Sequence, residues 1–355
     1  MGKRIGPLLL LALLLLAGTA RAAEDRPELP SELVRAAPEA AELAEDGLLA
    51  GLEALVEEAL AGARDYLLSG VRSVALIMAG VTLLGVVEST SPAGKDVLGR
   101  YVSMAGALWI TAVSAGDLNA LMGLGERTIS QMALLGKTLL PALAAAEAAA
   151  GGITAAAVKQ AAAVFFSDVL LTLIQRLLLP MVRLYVGVAA AGAVLEGDAM
   201  EHIGSLLKKA IGWALSGLLV LFTGYLTLSG AVAGAADAQT VKLAKAAVSA
   251  AVPVVGGILA SAAESVVAGA GLLRGLVGTC GTLAVVGLCL LPVLRLGCQY
   301  LLYQGASLVA AAAGPKKLTG LLGQLAEAFS LVLAMTAASA VALLIAIAAS
   351  LTAAV

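Results

Sequence analysis

The chain has 355 residues, of which 61% are hydrophobic and 13% charged, with a formal net charge of −2 and a mean hydropathy of +1.00. A soluble domain carries about 25% charged residues, so this composition excludes a water-soluble fold and points to an integral membrane protein. No basic patch with interleaved aromatics occurs, which argues against nucleic-acid binding.

Lys3 and Arg4 precede the apolar run 8–17, and Gly18, Thr19, Ala20, Arg21 and Ala22 follow it. A basic start, a short apolar core and Ala20-x-Ala22 predict a signal peptide over 1–22. Its cleavage would leave the mature N-terminus extracytoplasmic; an uncleaved anchor is the alternative. Residues 23–65 read as an acidic extracytoplasmic segment, since half of the chain's 24 acidic side chains fall between Glu24 and Asp65. Pro27, Pro30 and Pro38 make its first part an irregular linker. From Pro38 to about residue 68, Leu48, Leu49, Leu52, Leu55, Val56 and Leu60 recur at spacings of three and four, with Glu53, Glu57 and Glu58 on the other side. That period predicts an amphipathic helix, either a docking element for a partner or a solvated helix entering the first span.

A first pair of transmembrane helices is expected within 66–125, spanning 66–87 and 101–122. Arg72 sits near the outer end of the first span, where a long side chain can snorkel. Lys95 and Arg100 fall between the two spans, and positive charge places that loop in the cytoplasm. This agrees with an exported N-terminus.

Beyond residue 125 the chain reads as an internal duplication of about 110 residues, with unit 1 at 126–235 and unit 2 at 238–350. Pro141 and Pro253 stand at an offset of 112, as do Pro180 and Pro292, Thr128 and Thr240, and Arg183 and Arg295. Leu178-Leu179-Pro180-x-x-Arg183-Leu184 matches Leu290-Leu291-Pro292-x-x-Arg295-Leu296. Matching prolines carry weight because the chain has only 10. Lys208-Lys209 and Lys316-Lys317 each open the next apolar segment and both favour the cytoplasm. An even number of spans must therefore lie between them, and 210–232 and 276–303 supply two. The weaker segments 141–158 and 253–272 are then interfacial or re-entrant. If they cross instead, the units become inverted repeats, a transporter architecture. The expected fold is an all-α polytopic helical bundle with six strong transmembrane helices and up to nine.

Ionisable residues at membrane depth are costly and often functional, which singles out Asp168, Arg176, Arg183, Glu264 and Arg295 as candidate intramembrane or interface residues. Asp168 and Arg176 are eight apart, about two helical turns, so they could flank a polar seam. Arg183 and Arg295 each follow a proline by three and could instead mark helix ends at the cytoplasmic surface. Glu147 and Glu264 lie in the weak segments and need no special role if those are interfacial. Cys280, Cys289 and Cys298 are spaced by nine, so neighbours point to opposite faces. Cys280 and Cys298 share a face but stand about 27 Å apart at 1.5 Å per residue, too far for a disulfide or a shared metal; all three read as small apolar filler. No Walker loop occurs and His202 is alone. The sequence therefore predicts no catalytic residue, no cofactor and no metal: not an enzyme.

One stretch carries a family resemblance. Pro253-Val-Val-Gly-Gly-x-Leu-x-x-Ala-x-Glu264-Ser-Val, followed by Leu290-Leu-Pro-x-x-Arg-Leu296 and Tyr300-Leu-Leu-Tyr303, resembles the stage III sporulation protein AE family. The similarity extends over nearly the whole chain, although this sequence is unusually rich in Ala and Gly. The motifs are hydrophobic, so no catalytic residue carries over. The resemblance implies a membrane component of a secretion-like channel between mother cell and forespore, needed for forespore development and late gene expression. It implies a multi-pass location in the mother-cell membrane around the forespore. The implied partners are other membrane and ring-forming proteins of the stage III sporulation complex, including its ATPase. The competing expectation is a stand-alone small-solute permease built from inverted repeats.

Overall fold

The computed structural model describes the backbone over residues 38–90 (except 46), 95–149, 165–194 (except 166), 199–225 (except 223) and 256–352 (except 314). The expected signal peptide, the linker before Pro38 and most of the segment after 225 lie outside the described residues. Within them the chain is helical and contains no strand.

Helix α1, Pro38–Glu45, opens on a proline whose fixed φ suits a first helical turn, with Glu39 against the positive end of the helix dipole. Gly47 then adopts φ 94°, a conformation that side chains disfavour, and its N–H bonds the Ala44 carbonyl at 3.3 Å. This turn splits the single amphipathic helix expected from Pro38, and α1 folds against a later helix, α6 (Gly256–Ala313). Helix α2, Leu48–Thr90, runs without a break from the acidic amphipathic stretch into the expected first span. Helix α3, Lys95–Ala149, likewise continues past residue 126, the expected start of unit 1, and through Pro141.

Helix α4, Ser167–Val194, contains one π turn, Ile174–Leu178, in which the Leu179 N–H reaches back to the Ile174 carbonyl. Pro180 follows one residue later and lacks an N–H for the Arg176 carbonyl; a widened turn is a recurrent way to absorb such a mismatch. Helix α5, Ala199–Phe222, is followed among the described helices by α6 and then α7, Lys316–Thr352. α6 carries Pro292 within a continuous helix.

Among the described residues, six helices are long and apolar enough to cross a membrane: Leu48–Val87, Arg100–Ala145, Ser167–Val194, Ala199–Phe222, Leu276–Ala312 and Lys316–Ile347. This agrees with the six strong spans expected, and the protein is a multi-pass helical membrane protein. α2, α3 and α6, at 43, 55 and 58 residues, are about 65–87 Å long at 1.5 Å per residue. Each therefore reaches well beyond a hydrocarbon core of about 30 Å.

α7 is the centre of the bundle. In its apolar stretch 78% of residues are buried by the protein itself, against 17% in that of α2. Its neighbours are α6, α3 and α4, and its alanines, Ala337, Ala338, Ala340 and Ala342 among them, are buried. Small side chains let helices approach closely where burial of apolar area gives no drive against lipid. Glycines set the register in the same way. Gly51, Gly62 and Gly70 of α2 face Leu283, Leu291 and Leu302 of α6, so these helices run parallel. Gly125 and Gly136 of α3 face Val332 and Leu343 of α7, also parallel. Gly80 of α2 lies under the Trp109 indole of α3, whose Nε1–H donates to the Leu76 carbonyl at 3.3 Å.

Candidate functional site

Arg295, Gln299 and Tyr303 recur every four residues along α6, which puts them on one face of an otherwise apolar helix. α3 supplies Asp117 opposite them, and α2 supplies Tyr66 and Ser73. Gln299 Nε2 donates to Asp117 Oδ2 at 2.9 Å, and the Tyr303 hydroxyl donates to the same oxygen at 3.1 Å. Ser73 Oγ lies 3.5 Å from Asp117 Oδ1. The Tyr66 hydroxyl donates to Gln299 Oε1 at 3.4 Å. The Gln299 amide, buried, is thus a link that accepts on one side and donates on the other, which assigns its orientation.

The Arg295 guanidinium lies over the Tyr66 ring, 5.7 Å from its centroid, in cation–π geometry. Its Nε is buried and has no hydrogen-bond partner among the described residues. The Tyr303 ring meets Phe329 of α7 edge-on at 5.0 Å. The glycine at 70 brings the α2 backbone close: a Cβ there would sit 2.8 Å from Leu302 Cδ1 and 3.1 Å from Gln299 Oε1. One partly buried carboxylate and one partly buried guanidinium are therefore held between the helices, bridged by hydroxyl and amide groups of which Gln299 and Tyr303 are buried. Backbone and side-chain polar groups have no water to turn to in hydrocarbon, so this network fixes the rotation of α2, α3 and α6 about their axes.

A second polar site sits on α7. Glu327 accepts from the Tyr185 hydroxyl of α4 at 2.7 Å and pairs through its other oxygen with Lys208 of α5. A third lies along the contact of α3 with α4, where three side-chain pairs form a ladder. Lys137 pairs with Asp168 at 3.4 Å, Gln175 Nε2 donates to Ser130 Oγ at 2.9 Å, and Arg183 pairs with Glu126 at 3.1 Å.

Of the five residues singled out in the sequence, Arg295 is the one whose described side chain belongs to this centre. Asp168 stands in the ladder, but its partner is Lys137 rather than Arg176, and Arg183 stands at the ladder's other end. Arg176 is exposed, in the π turn of α4. Glu264 lies on α6 with its side chain outside the described residues, as does that of Glu147 on α3. The sequence reading passed over Asp117, Gln299, Tyr66 and Glu327 as site residues; it used Lys208 only as a cytoplasmic charge and Tyr303 only as part of the family resemblance. Two signals for them were present: an acid inside the expected span 101–122, and three polar residues at a spacing of four in the stretch that carries the family resemblance.

The three cysteines are free. Cys280 and Cys289 are both buried although they point to opposite sides, because α6 is surrounded by other helices. Among the described residues no group of three His, Cys, Asp or Glu side chains is placed to hold a metal.

Comparison with known proteins gives a consistent result. The family model described as stage III sporulation protein AE matches residues 43–354. The curated stage III sporulation protein AE of Bacillus subtilis (strain 168) is 23% identical over 171 residues, which cover 48% of this chain and 43% of that protein. No solved structure matches the chain.

Proposed function

Because the chain belongs to the stage III sporulation protein AE family, we propose that it is a membrane-embedded component of a secretion-like channel complex linking mother cell and forespore. In this reading it is multi-pass in the mother-cell membrane around the forespore, with its N-terminus extracytoplasmic. It serves forespore development and late forespore gene expression during endospore formation. Its partners are other membrane and ring-forming proteins of the stage III sporulation complex, including the complex's ATPase, and it performs no covalent chemistry of its own.

The observation that carries the proposal is the family match over residues 43–354, which spans all six apolar helices. Two structural features support it. The bundle reaches beyond one bilayer thickness, offering partners a folded surface outside the membrane. The acidic face of α2 is exposed at Glu53, Glu57 and Glu58, where extracytoplasmic ring-forming proteins could reach it.

The test is an in-frame deletion in the native endospore-forming host, scored for growth, engulfment and late forespore gene expression. Normal growth and engulfment followed by silent or collapsing forespores is the expected result. Loss of uptake or efflux of a solute in vegetative cells would overturn it in favour of a stand-alone permease.

A further inference from the structure

The ladder between α3 and α4 stands on the outside of the bundle. The side chains of Lys137 and Asp168 are 62% and 57% exposed, and those of Arg183 and Glu126 are 58% and 51% exposed. Around them the surface is of the kind that faces acyl chains: Leu134, Phe165, Leu177 and Leu184 are all exposed large hydrophobics. About 20 residues of helix fill a hydrocarbon core. Any register of that length within Ser167–Val194 contains Gln175, Arg176 and Arg183. A half-exposed ion pair such as Arg183–Glu126, turned towards lipid at that depth, is expensive. A cover other than lipid would remove that cost.

The order of the charges says what covers them. The acid–base sense alternates from end to end, with Lys137, Ser130 and Glu126 on α3 against Asp168, Gln175 and Arg183 on α4. A two-fold axis along the membrane normal would lay α3 of one copy against α4 of the other at equal height. Lys137 then faces the second copy's Asp168, Ser130 its Gln175, and Glu126 its Arg183. The strip is complementary to itself under the one symmetry available to two copies inserted in the same direction.

We propose that the α3–α4 strip is a self-association surface, covered in the membrane by the same strip of a second copy of this chain. The seam between the copies is hydrated, because Arg127 and Arg176 are also exposed on these two helices and a dry contact would strand them.

The test uses two differently tagged full-length chains in native membranes, both carrying Cys298→Ala. One carries Ser130→Cys and the other Gln175→Cys. Oxidation is expected to give a disulfide-linked dimer bearing both tags, at least tenfold above a control pair with Leu83→Cys on the lipid-facing side of α2. A charge test separates pairing from mere proximity. Glu126→Arg in one chain and Arg183→Glu in the other should favour mixed dimers several-fold over like dimers, since each reversed charge then meets its opposite only across the seam. Cross-linking no greater than the control overturns the proposal. So does cross-linking of the strip to a different protein or to another segment of its own chain, and so do equal yields of mixed and like dimers. These readouts are taken in membranes and stand whatever the deletion phenotype shows.

Discussion

The same seven-residue pattern, Leu-Leu-Pro-x-x-Arg-Leu, occurs in α4 and in α6, and the two copies are used differently. In α4 Pro180 is exposed and follows a π turn; in α6 Pro292 is buried within a continuous helix. Arg183 stands half-exposed in an ion pair with Glu126. Arg295 stands over a tyrosine ring with a buried, unpartnered Nε. Downstream the two helices diverge chemically: the counterparts of Gln299 and Tyr303 at the offset of 112 are Gly187 and Ala191. The lesson is that a local motif sets where an arginine sits along a helix, whereas the neighbouring helices set what that arginine does.

The comparison can be broken most forcefully at Asp117. Asp117→Ala removes the acceptor for both Gln299 and Tyr303 and leaves two donors unpaired inside the bundle, so it should cost about 2–3 kcal/mol. It should visibly lower the midpoint of thermal unfolding in detergent, with Asp117→Asn losing less because the amide keeps an acceptor. An unchanged midpoint for the alanine variant would mean that the centre does not hold the helices together.

Tyr303→Phe is a finer cut. It keeps the ring against Phe329 and deletes one hydroxyl, so a loss of about 1 kcal/mol is expected; a much larger drop would locate the role of Tyr303 in packing instead. Arg295→Leu should move stability by less than about 1 kcal/mol. The lost cation–π contact, about 0.5–2 kcal/mol, is offset by removing a buried unpartnered donor. If late forespore gene expression nevertheless fails in that variant, Arg295 is retained for function rather than for the fold. Smallest of all, Arg183→Leu breaks a half-exposed pair and should shift the midpoint by about 0.5 kcal/mol or less.

How legible each part was follows from the range of the forces involved. Six spans could be counted from the sequence, because hydropathy sums over consecutive residues and no distant partner is needed to read it. Helix ends were the least legible feature, because a helix need not stop where its polarity changes. α2 runs from the acidic stretch into the membrane, and α3 runs through residue 126, because continuing a helix satisfies every backbone group and stopping it does not. The polar centre was half legible. Arg295, Gln299 and Tyr303 repeat at four on one face, but their acceptor, Asp117, is some 180 residues away on another helix.

The sequence by itself determined that this is an all-helical, multi-pass membrane protein, and the stretch 252–303 already pointed to its family. Tertiary structure alone decided that α7 is the core and α2 the periphery, and that Asp117 rather than Asp168 meets the charged face of α6. It alone turned one of two equivalent arginines inward. The physical reason is that a hydrophobic helix is nearly indifferent to which of its faces meets lipid or protein. That choice is made by small side chains that admit a neighbour and by the few polar groups that must find one another once water is gone.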